Sequence, residues 1–303
     1  MSDTGIVVVT YNSEDVIERC LESCRAYETI VVDNASTDGT LETVRRSHAR
    51  LIANDENRGF AAAVNQGVRA LSTDFVVLLN PDVVLETPLD ALAAAGPISA
   101  GCLLDQDGQP QAGFTVRRFP SPAVLALEVL GLNRLFPRNR ANRAYRYLDR
   151  DLSAGGPVEQ PAGALLGFER KVWDRLNGFD ENFHPIWFED VDFCKRASEL
   201  GYRIEFVPAV KGRHVGGHSV GKLGWECRER YWYGSLLKYA SKHFSRAGYR
   251  FLCAAVVLGS AFRAVAGTLR RRSLRPVAVF AGVSGSAARG SRVRQVRVIQ
   301  IRK

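Results

Sequence analysis

The sequence predicts an α/β fold with a mostly parallel central sheet flanked by helices, followed by a basic helical extension. Through the first hundred residues, short apolar runs alternate with segments of helical periodicity, which is the pattern of βαβ units. The apolar runs are continuous, as in strands that are buried on both faces. Basic residues then dominate the chain from residue 225 onward.

The first hundred residues contain four predicted strands. These strands are the apolar runs 5–10, 29–32, 50–53 and 74–79. Helices are expected after Ser13, which can cap a helix, at about 40–47, and from Gly59 to about Leu71, because apolar side chains recur there at helical spacing.

The predicted elements beyond residue 85 are less regular. We expect a helix from Thr87-Pro88, with proline at its first position, and a hairpin of strands 99–104 and 109–116. Residues 119–157 are interpreted as a variable loop with one short helix. The remaining elements are a strand region at 158–168, helices at 169–176 and 190–200, and a last strand at 203–207.

Charge divides the chain into a body, residues 1–224, and a C-terminal extension, residues 225–303. The extension carries 17 Lys and Arg against 2 Asp and Glu, and the body carries 24 against 30. A basic aromatic helix is predicted at 225–244, and the apolar run 251–269 is interrupted by Arg263, so it falls short of a spanning helix.

An apolar helix flanked by arginines suits the interface of an anionic membrane. Packing on the body, a homodimer contact and a solvated tail without a partner are the alternatives. Residues 284–303 are expected to be disordered. Nucleic acid is ranked last as a partner, because the extension lacks a recognisable binding signature.

The composition is that of an ordinary soluble protein, with 46% hydrophobic and 24% charged residues. The six cysteines include no CxxC pair, which argues against a zinc ribbon. They favour reduced thiols in the cytoplasm. The acidic start, MSDTGIVVVTYNSED, is not typical of a signal peptide.

Polar residues follow three of the strands and predict a binding cleft, because ligands of parallel sheets bind at the carboxyl ends of strands. They are Thr10-Tyr11-Asn12, Asp33-Asn34 and Asn80-Pro81-Asp82. Neither GxGxxG after the first strand nor GxxxxGK[ST] is present. A divalent cation held by Asp82 could therefore bind phosphates, although an Asp after a strand also forms turns.

Two further groups could carry chemistry. Glu189 and Asp190 lie among aromatic residues at a predicted helix start, where carboxylates either interact with the helix dipole or, with a raised pKa, act as a general base. His214 lies in a glycine-rich loop, RHVGGHS, and could join Asp82 on a cation. Its HxxxH spacing with His218 does not indicate zinc.

Taken together, these blocks resemble the family 2 inverting glycosyltransferases of GT-A fold. The matching blocks, in order, are VVVTYNS, IVVDNASTDGT, NDENRGFAAAVNQG, FVVLLNPDV, GFDENFHPIWFEDVDFCKRASELGYRIEFVP and HxGGxS. The resemblance covers about residues 5–219. The NPDV and EDVDFCxR forms are most similar to the bacterial rhamnosyltransferase-like branch, which builds lipid-linked cell-wall or surface polysaccharides.

The resemblance implies a role for each matching residue. Asp190 would be the catalytic base beside Glu189. Asp82 and His214 would hold Mg²⁺ or Mn²⁺, with Asn80 at the first Asp of the DxD motif, where one charge is lost. The donor nucleotide would be bound by Thr10, Tyr11, Asn12, Asp33, Asn57, Gly59, Asn65 and Asn80.

The implied activity is metal-assisted transfer of a sugar, with inversion, from a dTDP- or UDP-sugar to a hydroxyl of a lipid-linked or polysaccharide acceptor. L-Rhamnose from dTDP-rhamnose is the leading donor, and galactofuranose, glucose and other hexoses stay open. The enzyme would work on the cytoplasmic face of the cell membrane. A non-catalytic nucleotide-sugar-binding protein and a nucleotidyltransferase are the alternative functions.

Overall fold

The computed structural model describes residues 4–214, 216 and 221–290. The chain divides into two compact units. The first unit comprises Met1–Phe119 and Arg143–Gly224, and the second comprises Pro120–Asn142 and Trp225–Lys303. The division after Gly224 falls where the charge changes. Residues 120–142, which the sequence placed in the body, belong to the second unit.

The first unit is built on a mixed sheet. Its strands are β1 Thr4–Thr10, β2 Glu28–Asp33, β3 Arg50–Ala53, β4 Phe75–Leu79, β5 Val83–Leu85, β6 Ile98–Leu104, β8 Gly156–Pro157, β10 Leu165–Glu169 and β11 Ile204–His214. The strand order is β3-β2-β1-β4-β10-β6-β11-β5, and β8 pairs with β11. β7 Val116–Arg117 and β9 Gln160–Pro161 form a separate two-stranded sheet.

The helices follow in chain order. They are α1 Glu14–Ser23, α2 Thr40–Arg45, α3 Phe60–Ala70, α4 Asp90–Ala95, α5 Pro122–Val129, α6 Leu132–Leu135, α7 Arg140–Tyr145, α8 Arg170–Arg175, α9 Glu189–Glu199, α10 Trp225–His243, α11 Arg246–Arg271 and α12 Arg275–Gly290. The predicted α/β class with its central, mostly parallel sheet and C-terminal helices is confirmed.

Two apolar layers enclose the sheet and explain the continuous apolar runs. Val7 and Val9 lie in the layer that includes Val64 of α3. The alternate residues Ile6 and Val8 lie in the opposite layer, which includes residues of α1. Every residue of β1 is therefore buried on one side of the sheet or the other, so β1 has no solvent-exposed polar face.

The antiparallel strand β10 is inserted between β4 and β6, whereas β1 pairs in parallel with both β2 and β4. The last strand, β11, continues to His214, well past the predicted end at 207. It pairs in parallel with β6 and antiparallel with β5. These two pairings place residues from distant parts of the chain at one edge of the sheet.

Two predicted elements are wrong. The helix near 88 begins at Asp90, because the Glu86 amide donates to the Lys211 carbonyl oxygen and Thr87 Oγ1 accepts from the Lys211 amide. The second hairpin strand, 109–116, is reduced to a bridge between Leu104 and Pro110 and the two residues of β7. Proline cannot donate to a strand ladder, which weakens pairing there.

The region 119–157 is more ordered than predicted, with the three short helices α5, α6 and α7. The Ser121 side chain accepts from the Val124 amide and Pro122 follows it, which is a recognisable helix start. Ser13, in contrast, makes no side-chain cap on α1. Its amide donates to Thr40 Oγ1 instead.

The second unit is helical. Within it, Gly259 of α11 lies so close to α5 that an added Cβ would meet the Val129 carbonyl. α10 and α12 meet through Tyr233 and Phe280. α12 extends to Gly290, so the predicted disorder from residue 284 is wrong for 284–290, and residues 291–303 lie outside the described residues.

Candidate active site

Asp82 and His214 face each other beside the β5–β11 pair. The register sets His214 opposite Val83, the residue that follows Asp82. His214 Nε2 lies 3.5 Å from Asp82 Oδ1. Both residues are buried: Asp82 is 6% exposed and His214 is 3% exposed. Residues 132 positions apart in sequence are thus brought together, as predicted from the resemblance.

Gln111 fixes the orientation of the His214 ring. Its Nε2 donates to the His214 carbonyl oxygen at 2.9 Å, so its Oε1 is the atom that lies 2.9 Å from His214 Nδ1. That oxygen can only accept, and Nδ1 must therefore carry the proton. Phe114 stacks on the ring at 5.1 Å. Nε2, the ring nitrogen on the side of Asp82, is therefore the one that can bind a cation when the ring is neutral.

This pair fits a divalent cation that takes its other ligands from a substrate. Mg²⁺ is usually held by one or two carboxylates together with phosphate oxygens and water. A separation of 3.5 Å allows both atoms to reach one ion with bonds of about 2.1 Å. Among the described residues, no cluster of three His, Cys, Asp or Glu side chains forms a complete protein site.

Asp190 lies in the first turn of α9 and is partly exposed. Its Oδ2 accepts from the Gly163 amide at 2.9 Å and its Oδ1 from the Val191 amide at 2.7 Å. Burial raises the pKa of Asp190, and these two amides and the charge of Arg117 lower it without cancelling the rise. A raised pKa makes the carboxylate a stronger base.

The dipeptide Gly163-Ala164 joins the base to the residues after β4. The Gly163 amide donates to Asp190, and the Ala164 carbonyl accepts from the Asn80 amide at 3.1 Å. Asn80 precedes Asp82 by two residues. The structure therefore gathers Asp190 and the Asp82–His214 pair in one region of the first unit.

A second connection runs through residues 111–117. Gln111 and Phe114 contact His214. Arg117 lies 5.5 Å from the Phe114 ring and its charge acts on Asp190. Sequence reasoning missed these residues and Gly163, because nothing local marks them. Their role arises from the positions of His214 and Asp190.

Glu189 differs from its neighbour. It is 5% exposed, and its Oε2 has no hydrogen-bond partner in the described part of the chain. Burial, followed by the negative charge of Asp190, raises the pKa of Glu189 well above its usual range. Burial and the charge of Asp190 thus disfavour the ionised form of Glu189, and its predicted part in catalysis stays a prediction.

The third carboxylate of this segment, Asp192, is structural. Arg196 Nε donates to Asp192 Oδ2 at 2.7 Å, and the same guanidinium donates to the carbonyls of Leu176 and Gly178. Asp192 is fully buried. These contacts fix α9 against the loop after α8 and hold the first turn with Asp190 in place.

The carboxyl ends of β1 and β2 form the predicted nucleotide side. Asp33 Oδ1 accepts from Thr10 Oγ1 at 2.8 Å and from Ser36 Oγ, and Asp33 Oδ2 accepts from the Ser36 amide at 2.8 Å. Asp33 is fully buried. These hydrogen bonds hold the ends of β1 and β2 together, and the predicted contact of Asp33 with a base stays a prediction.

Asn12 and Tyr11 follow directly on β1, and both are partly exposed. Asn12 has a positive φ of 51°. Its Oδ1 accepts from the Thr37 amide at 2.8 Å, and its carbonyl accepts from Lys222 Nζ at 2.7 Å. These contacts hold the turn after β1, and nucleotide contacts by Tyr11 and Asn12 stay predictions.

Asn57 and Gly59 shape the turn before α3. Asn57 Oδ1 accepts from the Gly59 amide at 2.9 Å. Gly59 has a φ of 84°, and an added Cβ would lie 2.8 Å from the His184 ring. Asn80 is partly exposed at the end of β4. Direct contacts of these three residues with a nucleotide likewise remain predictions.

Asn65 is held by hydrogen bonds within the protein, and its predicted part in shaping the nucleotide side of the cleft stays a prediction. Its Nδ2 donates to the Phe179 carbonyl and to Glu181, and its Oδ1 accepts from Trp173 Nε1 and the Phe179 amide. Asn65 is 1% exposed. Two donors and two acceptor positions are all used, so Asn65 ties α3 to the loop after α8.

Two family models match the chain. Residues 5–92 match "Glycosyl transferase family 2", which covers the turns after β1, β2 and β4. Residues 151–218 match "N-terminal domain of galactosyltransferase", which covers Gly163, Asp190 and His214. The two matched regions therefore include every part of the site described above except residues 111–117 and Lys222.

Two relatives of the chain are named as sugar transferases. The chain is 26% identical over 234 residues to the rhamnosyltransferase WbbL of Escherichia coli, covering 70% of this chain and 83% of the relative. It is 22% identical over 220 residues to the low-salt glycan biosynthesis hexosyltransferase Agl10 of Haloferax volcanii, covering 71% of this chain and 67% of that relative.

A solved structure shares the fold. GalNAc-T7, crystallised with UDP, GalNAc and Mn²⁺, superposes with a TM-score of 0.51 at 14% identity, covering 70% of this chain and 43% of that chain. The matched families and relatives identify the chain as a glycosyltransferase, and its fold is that of GT-A glycosyltransferases. Residues 5–92 match the family 2 glycosyltransferases, as the sequence blocks predicted.

Proposed function

We propose that this enzyme transfers a sugar with inversion from a nucleoside-diphosphate donor to a hydroxyl of a lipid-linked or polysaccharide acceptor. The observation that carries the proposal is the Gly163-Ala164 dipeptide. It hydrogen-bonds on one side to Asp190 and on the other to Asn80. A basic carboxylate and a candidate diphosphate site are thereby held next to each other.

The donor that we favour is dTDP-L-rhamnose. Support comes from the WbbL relative, a rhamnosyltransferase that aligns over 83% of its length. A UDP-sugar is the second choice, since the GalNAc-T7 structure contains UDP. Galactofuranose, glucose and other hexoses are the sugars to test beside rhamnose.

Asp82 and His214 would hold Mg²⁺ or Mn²⁺. When bound, the ion supplies positive charge that stabilises a departing diphosphate. The protein contributes a buried carboxylate and an imidazole whose Nε2 lone pair is fixed by Gln111. Because Asn80 replaces the first Asp of DxD, this site has one negative charge fewer than the family pattern.

Asp190 would act as the general base. Its carboxylate takes the proton of the acceptor hydroxyl, and the hydroxyl oxygen attacks the anomeric carbon of the donor. The new glycosidic C–O bond forms as the bond between the anomeric carbon and the diphosphate oxygen breaks, and the nucleoside diphosphate leaves with the electron pair. Attack from the face opposite the leaving group inverts the configuration.

The acceptor that we propose is a polyprenyl-diphosphate-linked glycan at the cytoplasmic face of the cell membrane. The support is the basic second unit and the fact that one relative, Agl10, acts in glycan biosynthesis. Such an acceptor has its hydroxyls close to the lipid surface. The enzyme would then bind the membrane peripherally.

A transfer assay tests the proposal. Purified enzyme is incubated with Mn²⁺, short-chain prenyl-diphosphate-linked glycans and a panel of dTDP-, UDP- and GDP-sugars. We expect one donor to be consumed, with release of its nucleoside diphosphate and a product whose anomeric configuration, read by NMR, is inverted. A retained configuration, or no turnover with any donor, would contradict the proposal.

Replacing Gln111 with leucine should weaken Mn²⁺ binding about 10–100-fold, the usual effect of losing the partner of a metal-binding histidine. Leucine has no atom that can accept a hydrogen bond from the Nδ1–H group of His214. Mn²⁺ affinity is measured by electron paramagnetic resonance in the presence of the preferred nucleoside diphosphate. The ring ¹⁵N shifts of His214 report its tautomer.

The matched control is Gln106→Leu, because Gln106 is exposed in the turn after β6. Its Mn²⁺ affinity should equal that of the wild type. Equal affinity in Gln111→Leu, with an unchanged tautomer, would show that Gln111 does not position His214.

Replacing Gly163 with alanine should lower kcat about tenfold or more, because a displacement of about 1 Å at a reacting group can cost 10²-fold. An added Cβ would lie 3.2 Å from Asp190 Cβ, so Asp190 must move. Steady-state kinetics with the identified donor measure the effect. Gly221→Ala, where an added Cβ meets no atom of the described residues within 4 Å, is the control, and equal kcat values would contradict the prediction.

A further inference from the structure

Helix α11 exposes a continuous row of large apolar side chains. We call these five residues the α11 stripe: Phe251, Leu258, Phe262, Val265 and Leu269. They are exposed by 55%, 51%, 63%, 62% and 75%, respectively. With about 100° of turn per residue, the five side chains fall within roughly 60° of arc. They extend along roughly 27 Å of the helix axis.

The opposite face of α11 is covered inside the second unit. Leu252 and Val256 are buried there, and Gly259 lies against α5. Arg263, the charge that interrupts the apolar run, points into this covered side. Its guanidinium donates to the carbonyls of Glu128 and Val129. The exposed face therefore has no charge between residues 251 and 269.

Arginines flank the stripe at both ends. Arg246 and Arg250 are exposed before it, and Arg270, Arg271 and Arg272 are exposed after it. The sequence contains no Asp or Glu from residue 230 to residue 303. An apolar face with cations at its ends is suited to a surface that offers both hydrocarbon and negative charge.

We propose that the α11 stripe lies in the interface of an anionic lipid bilayer, with its apolar side chains among the acyl chains and its arginines at the headgroups. This inference rests on the proposed membrane location of the enzyme and is independent of its donor. The sequence had indicated the apolar run 251–269, and the structure narrows the lipid-facing surface to one face of α11.

A second copy of the chain is a poorer occupant of this face. Two stripes packed against each other, in either direction, bring arginine clusters together with no acidic residue from this region to compensate them. Anionic lipids instead attract each basic residue near the surface, by about 1 kcal/mol.

A helix lying in the membrane plane also fits better than a spanning one. α11 is long and apolar enough to cross a membrane by length and composition, since it has 26 residues and contains an 18-residue window with a mean hydropathy of 1.8. One side of it, however, is covered by α5 and α12 within the second unit. A helix whose partners hold one face can offer only the other to lipid.

Flotation of the full-length enzyme with phosphatidylcholine vesicles, with and without phosphatidylglycerol, tests the proposal. The test variant carries Leu258→Ser, Phe262→Ser and Leu269→Ser, all at exposed positions. We expect its partition onto phosphatidylglycerol vesicles to fall at least about tenfold, since each lost side chain removes apolar area. Leu200→Ser, an exposed leucine of the first unit, should float like the wild type.

A charge variant, Arg270→Gln with Arg271→Gln and Arg272→Gln, should lose a similar factor in its partition onto phosphatidylglycerol vesicles. Wild-type binding to phosphatidylcholine alone should be weak. Thermal melting and nucleoside-diphosphate affinity, expected to be unchanged in every variant, show that each protein is folded. They also separate failure of this inference from failure of the proposed transfer activity.

Three results would overturn the inference. The triple variant could float as well as the wild type. The wild type could be a dimer that the triple variant converts to a monomer, with neither binding vesicles. Finally, alkaline carbonate could fail to extract the wild type from cell membranes, which would make α11 a spanning helix.

Discussion

Asp190→Asn should lower kcat by about 10²–10⁴-fold, the range that a general base contributes. Asparagine keeps the size of the side chain but cannot take a proton from the acceptor hydroxyl. Donor affinity should stay within about twofold of the wild type, because the nucleotide is expected to bind at the ends of β1, β2 and β4. Steady-state kinetics and calorimetric titration measure the two quantities.

The pH profile gives an independent reading of the same residue. Only ionised Asp190 can accept a proton, so kcat should fall as the pH drops through its pKa and be retained above it. Since burial raises the pKa of Asp190, the midpoint should lie above the ordinary aspartate value of about 3.9. The remaining activity of Asp190→Asn should not show this fall in kcat at low pH.

Asp174→Asn is the matched control, because Asp174 is an exposed aspartate of α8. It should keep the wild-type kcat and pH profile. If Asp190→Asn lost donor affinity together with kcat, Asp190 would have a structural role instead of the catalytic one proposed for it.

Asp82→Asn should weaken Mn²⁺ binding in the presence of nucleoside diphosphate by about 100-fold or more. A direct ligand should matter at least as much as an outer partner, whose loss typically costs 10–100-fold. The buried Asp82 carboxylate supplies the negative charge of the pair, whereas His214 contributes one imidazole nitrogen, Nε2. Calorimetric titration of the nucleotide with and without Mn²⁺ measures the effect.

Nucleotide binding by this variant should also lose its dependence on metal. Asp107→Asn, at an exposed position in the turn after β6, should bind Mn²⁺ and nucleotide normally. Metal dependence that is unchanged in Asp82→Asn would remove Asp82 from the proposed metal site.

The sequence predicted the regular part of the fold well. Continuous apolar runs locate β1, β2 and β4, because burial on both faces leaves a local signal. The inserted antiparallel strand β10 and the extension of β11 to His214 depend on which strands meet. That choice is made by tertiary contacts, and no residue pattern near these strands records it.

The candidate site divides in the same way. Asp82, Asp190 and His214 lie in recognisable motifs, and the structure places them in one region. Gln111 and Gly163 act through contacts across 103 and 27 residues, respectively, and have no motif of their own. Asn65 lies in a motif, but its side-chain donors and acceptors are occupied by hydrogen bonds inside the first unit.

Calorimetric titration of the wild type with dTDP, UDP and GDP, each with and without Mn²⁺ or Mg²⁺, tests the central claim most directly. The proposed site predicts binding that requires the metal and prefers one diphosphate, with dTDP favoured. Absence of binding for all three diphosphates, by protein shown to be folded, would contradict the donor site and favour a non-catalytic role for the fold.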